Sequence, residues 1–106
     1  MNPEFKFFPG ADIVEQGLLD LQQNRETIYS LLVCIGAPRM QGAGLAVPSQ
    51  LADTRDLEIR LYQLIGKEGH ADPYSHYNSL IRRLIKFEQA LEEYGHQSSE
   101  DGECLT

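Results

Sequence analysis

The sequence predicts an all-α fold, a small irregular four-helix bundle, and three observations predict it. Apolar residues recur at spacings of three and four in the segments that begin near Asp12, Asp53 and Asp72. Residues that start helices precede these segments, most plainly in Asp72-Pro73, and Gly66 and Gly95 follow the second and third. The chain of 106 residues is 42% hydrophobic and 24% charged, an ordinary balance for one globular domain. A chain of this size buries roughly 65% of its unfolded surface, enough for a core that needs neither metal nor disulfide. The expected organisation is an extended arm over 1–10, a helical domain over 11–95 and a disordered acidic tail over 96–106.

The arm holds Phe5, Phe7 and Phe8 between Pro3 and Pro9-Gly10, and breaker residues on both sides predict an extended segment. Helix 1 is expected near 12–23. Asp12 stands as N-cap with Glu15 three residues on, and Ile13, Val14, Leu18 and Leu21 share a face. Asn24 reads as the cap of a second helix near 24–36, apolar nearly all round from Ile28 to Ile35 and therefore central to the core. Gly36 and Pro38 read as its stop, which leaves 36–51, GAPRMQGAGLAVPSQL, as a long loop.

Helix 3 is expected near 53–66, beginning at Asp53 or Thr54, with Leu57, Leu61, Leu64 and Ile65 inward and Gly66 as its stop. Helix 4 is expected near 72–95. Asp72 caps it, Pro73 takes the first helical position, and Tyr77, Leu80, Ile81, Leu84, Phe87, Leu91 and Tyr94 follow before Gly95. The final HQSSEDGECLT has almost no apolar content and three acids, the composition of a disordered tail.

Nine Lys and Arg against sixteen Asp and Glu give a formal charge of −7, so the average surface repels phosphate and anionic lipid, and the charge argues against nucleic acid as a partner. No stretch approaches the roughly 20 apolar residues that span a membrane. Cys34 lies in the apolar run YSLLVCIG and Cys104 in the polar tail, a placement that argues against a disulfide between them and for a reducing cytoplasm.

Few groupings carry chemistry. His70, Asp72 and His76 could begin a metal site, but zinc requires a further protein ligand and Asp72 is accounted for as a cap; no metal or cofactor is expected. Cys34 between Val33 and Ile35 is expected to be inert, because burial disfavours its thiolate. The glycines of GAPRMQGAG lack the Gly-Lys-Ser/Thr ending of a phosphate loop. Arg82, Arg83 and Lys86 form the basic cluster, with Arg82 and Lys86 one turn apart.

These residues support a non-catalytic, self-associating interaction module of the cytoplasm, a homodimer or a binder of another protein. Its expected contacts are Phe5, Phe7, Phe8, Arg82, Arg83 and Lys86. The alternative is a small-molecule-binding protein or enzyme with a pocket under the 36–51 loop, polar groups coming from Tyr74, His76, Asn78 and Arg39. A third reading, an antitoxin-like or transcription-associated regulator, would use the basic face of helix 4, against the net charge.

Overall fold

A computed structural model describes residues 3–47, 51, 53–69 and 71–104, the last nine by their backbone only. Among these residues there are four α-helices and no strand, so the all-α expectation is met. The elements are a 3-10 turn (Pro3–Phe7), α1 (Ala11–Gln22), α2 (Ile28–Gly42), α3 (Leu57–Lys67) and α4 (Pro73–Cys104). The central element is α2, which touches α1, α3 and α4. Leu31, Leu32 and Val33 are wholly buried, as a helix apolar on every side demands.

The arm is not extended. It coils into the 3-10 turn and folds back on α4, with the Phe5 ring 5.5 Å from Tyr94 in an edge-on contact and the Phe8 ring 6.1 Å from Phe87. Breaker residues exclude a long helix but permit one short turn, and burial of two phenyl rings selects it. Gly10 makes the return. It has φ +80°, and a Cβ there would lie 2.4 Å from the Arg83 carbonyl oxygen, so only glycine brings the turn this close to α4.

Gly10 also occupies the N-cap position of α1, so Asp12 lies in the first turn instead of capping the helix. Arg83 Nη2 donates to both Asp12 carboxylate oxygens at 2.6 Å. The tightest crossing is between α1 and α2 at Gly17, where a Cβ would meet the Tyr29 carbonyl oxygen at 2.4 Å. A glycine inside a helix costs about 1 kcal/mol relative to alanine, and here that cost permits backbone contact.

Asn24 does not cap α2. It has φ +58° and ends α1: its N–H reaches the Leu21 carbonyl, and the Arg25 N–H reaches that of Asp20, the paired hydrogen bonds of a Schellman ending. The cap of α2 is Thr27, in a reciprocal box with Ser30. Thr27 Oγ1 accepts the Ser30 N–H at 3.1 Å, and Ser30 Oγ accepts the Thr27 N–H at 2.7 Å. Thr27 Oγ1 in turn donates to the buried Asp20 carboxylate at 2.6 Å.

The α2 helix runs through Gly36 and Pro38 to Gly42, so most of the expected loop is helix or short connector. Proline in a helix removes one hydrogen bond and costs about 3 kcal/mol. Continuing the helix buries Ala37 and Met40 at 1% and 0% exposure, which offsets that cost. The stop is Gly44 at φ +99°, and the Leu45 N–H returns to the Met40 carbonyl. Leu45, Val47 and Leu51 then tuck the connector onto the core.

The α3 helix starts at Leu57, later than Asp53 or Thr54, and ends beyond Gly66, with Gly69 at φ +82° as the turning residue. Asp53 instead accepts the Arg55 N–H at 3.0 Å. Asp72 caps α4 as expected, accepting the Ser75 N–H at 3.2 Å and its hydroxyl at 2.8 Å. The expected end at Gly95 is passed, and α4 continues to Cys104.

Candidate functional site

Two adjacent stripes run along α4. Leu80, Leu84, Phe87 and Leu91 are buried in the core. Rotated from them, Tyr77, Ile81, Ile85 and Glu88 follow at spacings of four, four and three, and form one wall of a groove of about 430 Å³. Ile35, Pro38 and Arg39 of α2 form the opposite side, and Glu58 of α3 stands at the edge. Gly36 sets the floor: a Cβ there would come within 3.0 Å of Leu84 Cδ1, so the small residue lets the leucine lie directly on α2.

The groove opens onto further apolar surface. Tyr62 of α3, 41% exposed, meets the Tyr77 ring edge-on at 6.0 Å, and Ile59 one turn earlier is 58% exposed. Ile85 is 37% exposed. Ile35, Tyr77 and Ile81 are half-buried.

Acids edge this groove. Glu88 is 5% exposed, and its nearest cation is Arg39, with Nη1 at 3.8 Å, beyond hydrogen-bond distance. The Arg39 guanidinium is turned to Glu92, to which Nε donates at 2.9 Å. Burial raises the Glu88 carboxyl above its ordinary pKa; Arg39 opposes the rise and Glu92 adds to it. Burial also raises the Tyr77 phenol, with Glu58 contributing.

A second, larger cleft of about 740 Å³ lies between α1, the α1–α2 turn and the start of α4, lined in part by Asp12, Asp20, Thr27, Tyr29 and His76. Much of its polar lining is engaged within the protein. Asp20 accepts from Thr27 at 2.6 Å and from Gln16 Nε2 at 3.1 Å, while Asp12 holds Arg83. This cleft belongs to the framework of the α1–α2 corner.

The residues expected to share a small-molecule pocket do not converge. His76 faces the α1 cleft, Arg39 lies in the α2–α4 groove, Tyr74 is 64% exposed and Asn78 is half-buried. The described part of the 36–51 segment roofs neither cavity, because its first residues belong to α2 and Leu45, Val47 and Leu51 are packed into the core. Of the three arm phenylalanines, Phe5 is buried and Phe8 half-buried within the chain, while Phe7 is 90% exposed. The basic cluster divides: Arg82 and Lys86 are exposed, and Arg83 is bound to Asp12.

Cys34 is buried, and desolvation raises its thiol pKa, so the neutral form is favoured. His70 lies outside the described residues, and among those described no three His, Cys, Asp or Glu side chains gather as a metal site. The groove acids Glu88 and Glu58 and the groove role of Tyr77, Ile81 and Ile85 were not read from the sequence. One signal for Glu88 was available: it stands four residues after Leu84 and three before Leu91, inside an otherwise apolar stripe.

The fold and groove define a class, a small all-α domain with a half-open apolar channel edged by acids. Comparison with known protein families, with curated proteins and with solved structures gives no match for the chain.

Proposed function

We propose that this chain is a helical protein–protein interaction module that docks a partner helix along the α2–α4 groove. The observation that carries this reading is the stripe of Tyr77, Ile81 and Ile85 opposite Ile35 and Pro38, prolonged by Tyr62 and Ile59 on α3. Apolar surface left half-exposed in a channel between helices suits an amphipathic helix, whose anchors at i, i+3/i+4 and i+7 fill the channel and bury both faces. In the arm, Phe5 and Phe8 lie against α4 and Phe7 stays exposed, so the groove offers the larger half-exposed apolar surface. An acidic chain with a buried, unbridged Cys34 suits the reducing cytoplasm.

The test is site-specific photo-crosslinking in the cells that make the protein. A photoreactive side chain at position 85 is expected to yield one discrete cross-linked mass, and the same group at Gln22, exposed on α1, is expected to yield none. Equal yields from the two positions would overturn the proposal.

A further inference from the structure

We infer that the occupant of this groove is a cationic amphipathic helix of another protein, placing a Lys or Arg against Glu88. The inference rests on the docking reading above and deepens it by naming the partner's chemistry.

Glu88 is the first reason. Its side chain is 6% exposed, it lines the groove, and its ion-pair partner among the described residues, Arg39 Nη1, stands 3.8 Å away, longer than a hydrogen bond. That pairing is shared, because Arg39, the basic residue of the groove, gives its Nε and Nη2 donors to Glu92 and only Nη1 faces Glu88. The raised pKa of Glu88 agrees with this incomplete compensation. A partner's ammonium or guanidinium entering from the open side would complete it.

Charge at the groove is the second reason. The groove lining sets Glu58 and Glu88 against Arg39, and Arg39 is itself bound by Glu92, on a chain of net charge −7. This field draws a basic segment and opposes a second copy of the same chain. Length is the third reason. From Tyr77 to Glu88 the wall covers about 16 Å at 1.5 Å per residue, three helical turns. A partner helix of roughly eleven to fifteen residues can set apolar anchors on Tyr77, Ile81 and Ile85 and still have a cation one turn further on.

The experiment uses the full chain and three fluorescent peptides of about fifteen residues, followed by anisotropy at about 0.15 M salt. The first is a helical peptide with Leu at i, i+3, i+4 and i+7 and flanking Lys; the second replaces Lys with Glu; the third scrambles the first. The Lys peptide is expected to bind saturably, at least about tenfold tighter than either other peptide. Glu88→Gln is expected to weaken it about tenfold. Glu93→Gln, at an exposed position off the groove, is expected to change it less than about twofold, and Ile85→Glu to abolish binding with the helical circular dichroism spectrum intact. If Lys and Glu peptides bind alike and Glu88→Gln has no effect, the cationic partner is overturned while groove docking stands. If the Lys peptide binds no better than its scramble and Ile85→Glu changes nothing, both readings fall.

Discussion

At the scale of single residues, three positions carry consequences out of proportion to their size. Gly17 has no room for a methyl group, since its closest neighbour is backbone and cannot rotate away. Gly17→Ala is expected to lose about 2 to 3 kcal/mol through forced separation of α1 and α2, read as a lower urea midpoint at unchanged m-value. Thr27 serves two partners with one hydroxyl, accepting from the Ser30 N–H and donating to buried Asp20. Thr27→Ala is expected to cost about 1 to 2 kcal/mol, and Thr27→Ser to recover most of it in the same denaturation assay. Glu88 acts in the opposite sense. Its raised pKa means that the folded state favours the protonated form, so its contribution is full below the ordinary carboxylate range and is lost as pH rises through the folded pKa. Urea midpoints measured from acid to neutral pH should therefore show Glu88→Gln gaining on the wild type as pH rises, the two converging at the acid end. A constant gap across the series would contradict the assignment.

At the scale of elements, the 3-10 turn behaves as a latch on α4. Phe5 is 8% exposed against Phe8 and Tyr94, and Phe5→Ala is expected to cost about 2 to 4 kcal/mol. The same change should expose Phe87 and Tyr94 and raise binding of an apolar dye, while leaving the photo-crosslink from position 85 unaffected. The start of α4 and the inward face of α3 were legible in the sequence, because Asp72-Pro73 and the run of Leu57, Leu61, Leu64 and Ile65 are local signals. Helix ends were less legible. Several glycines compete for the same role, and burial of Ala37 and Met40, a tertiary fact, carried α2 past Gly36 to Gly42. Asn24 illustrates the same limit, since asparagine suits both an N-cap and the left-handed residue of a helix end. The groove was hidden for a geometric reason. Tyr77, Ile81 and Ile85 and the core stripe beside them are one apolar band in sequence, and only the position of α2 divides that band into a buried half and an open half.

At the scale of the whole molecule, the excess of acid shapes the response to salt. Ion pairs such as Arg39–Glu92 and Arg83–Asp12 lie at the surface and are worth little, whereas repulsion among sixteen acids acts across the entire chain. Thermal unfolding is therefore expected to move to higher temperature between about 10 mM and 500 mM sodium chloride, over which range the screening length falls from roughly 30 Å to about 4 Å. A lower midpoint at high salt would show that the pairs outweigh the repulsion. The latch has a different consequence during synthesis. Glu4 and its hydrogen-bond partner Tyr94 are 90 residues apart, and the rings of Phe5 and Phe8 wait for the same part of α4. At ordinary ribosomal speeds of about 5 to 20 residues per second, those rings spend roughly 5 to 18 s without their native cover. A growing chain therefore offers a short aromatic segment to holdase chaperones, and that recognition site vanishes when the last helix arrives.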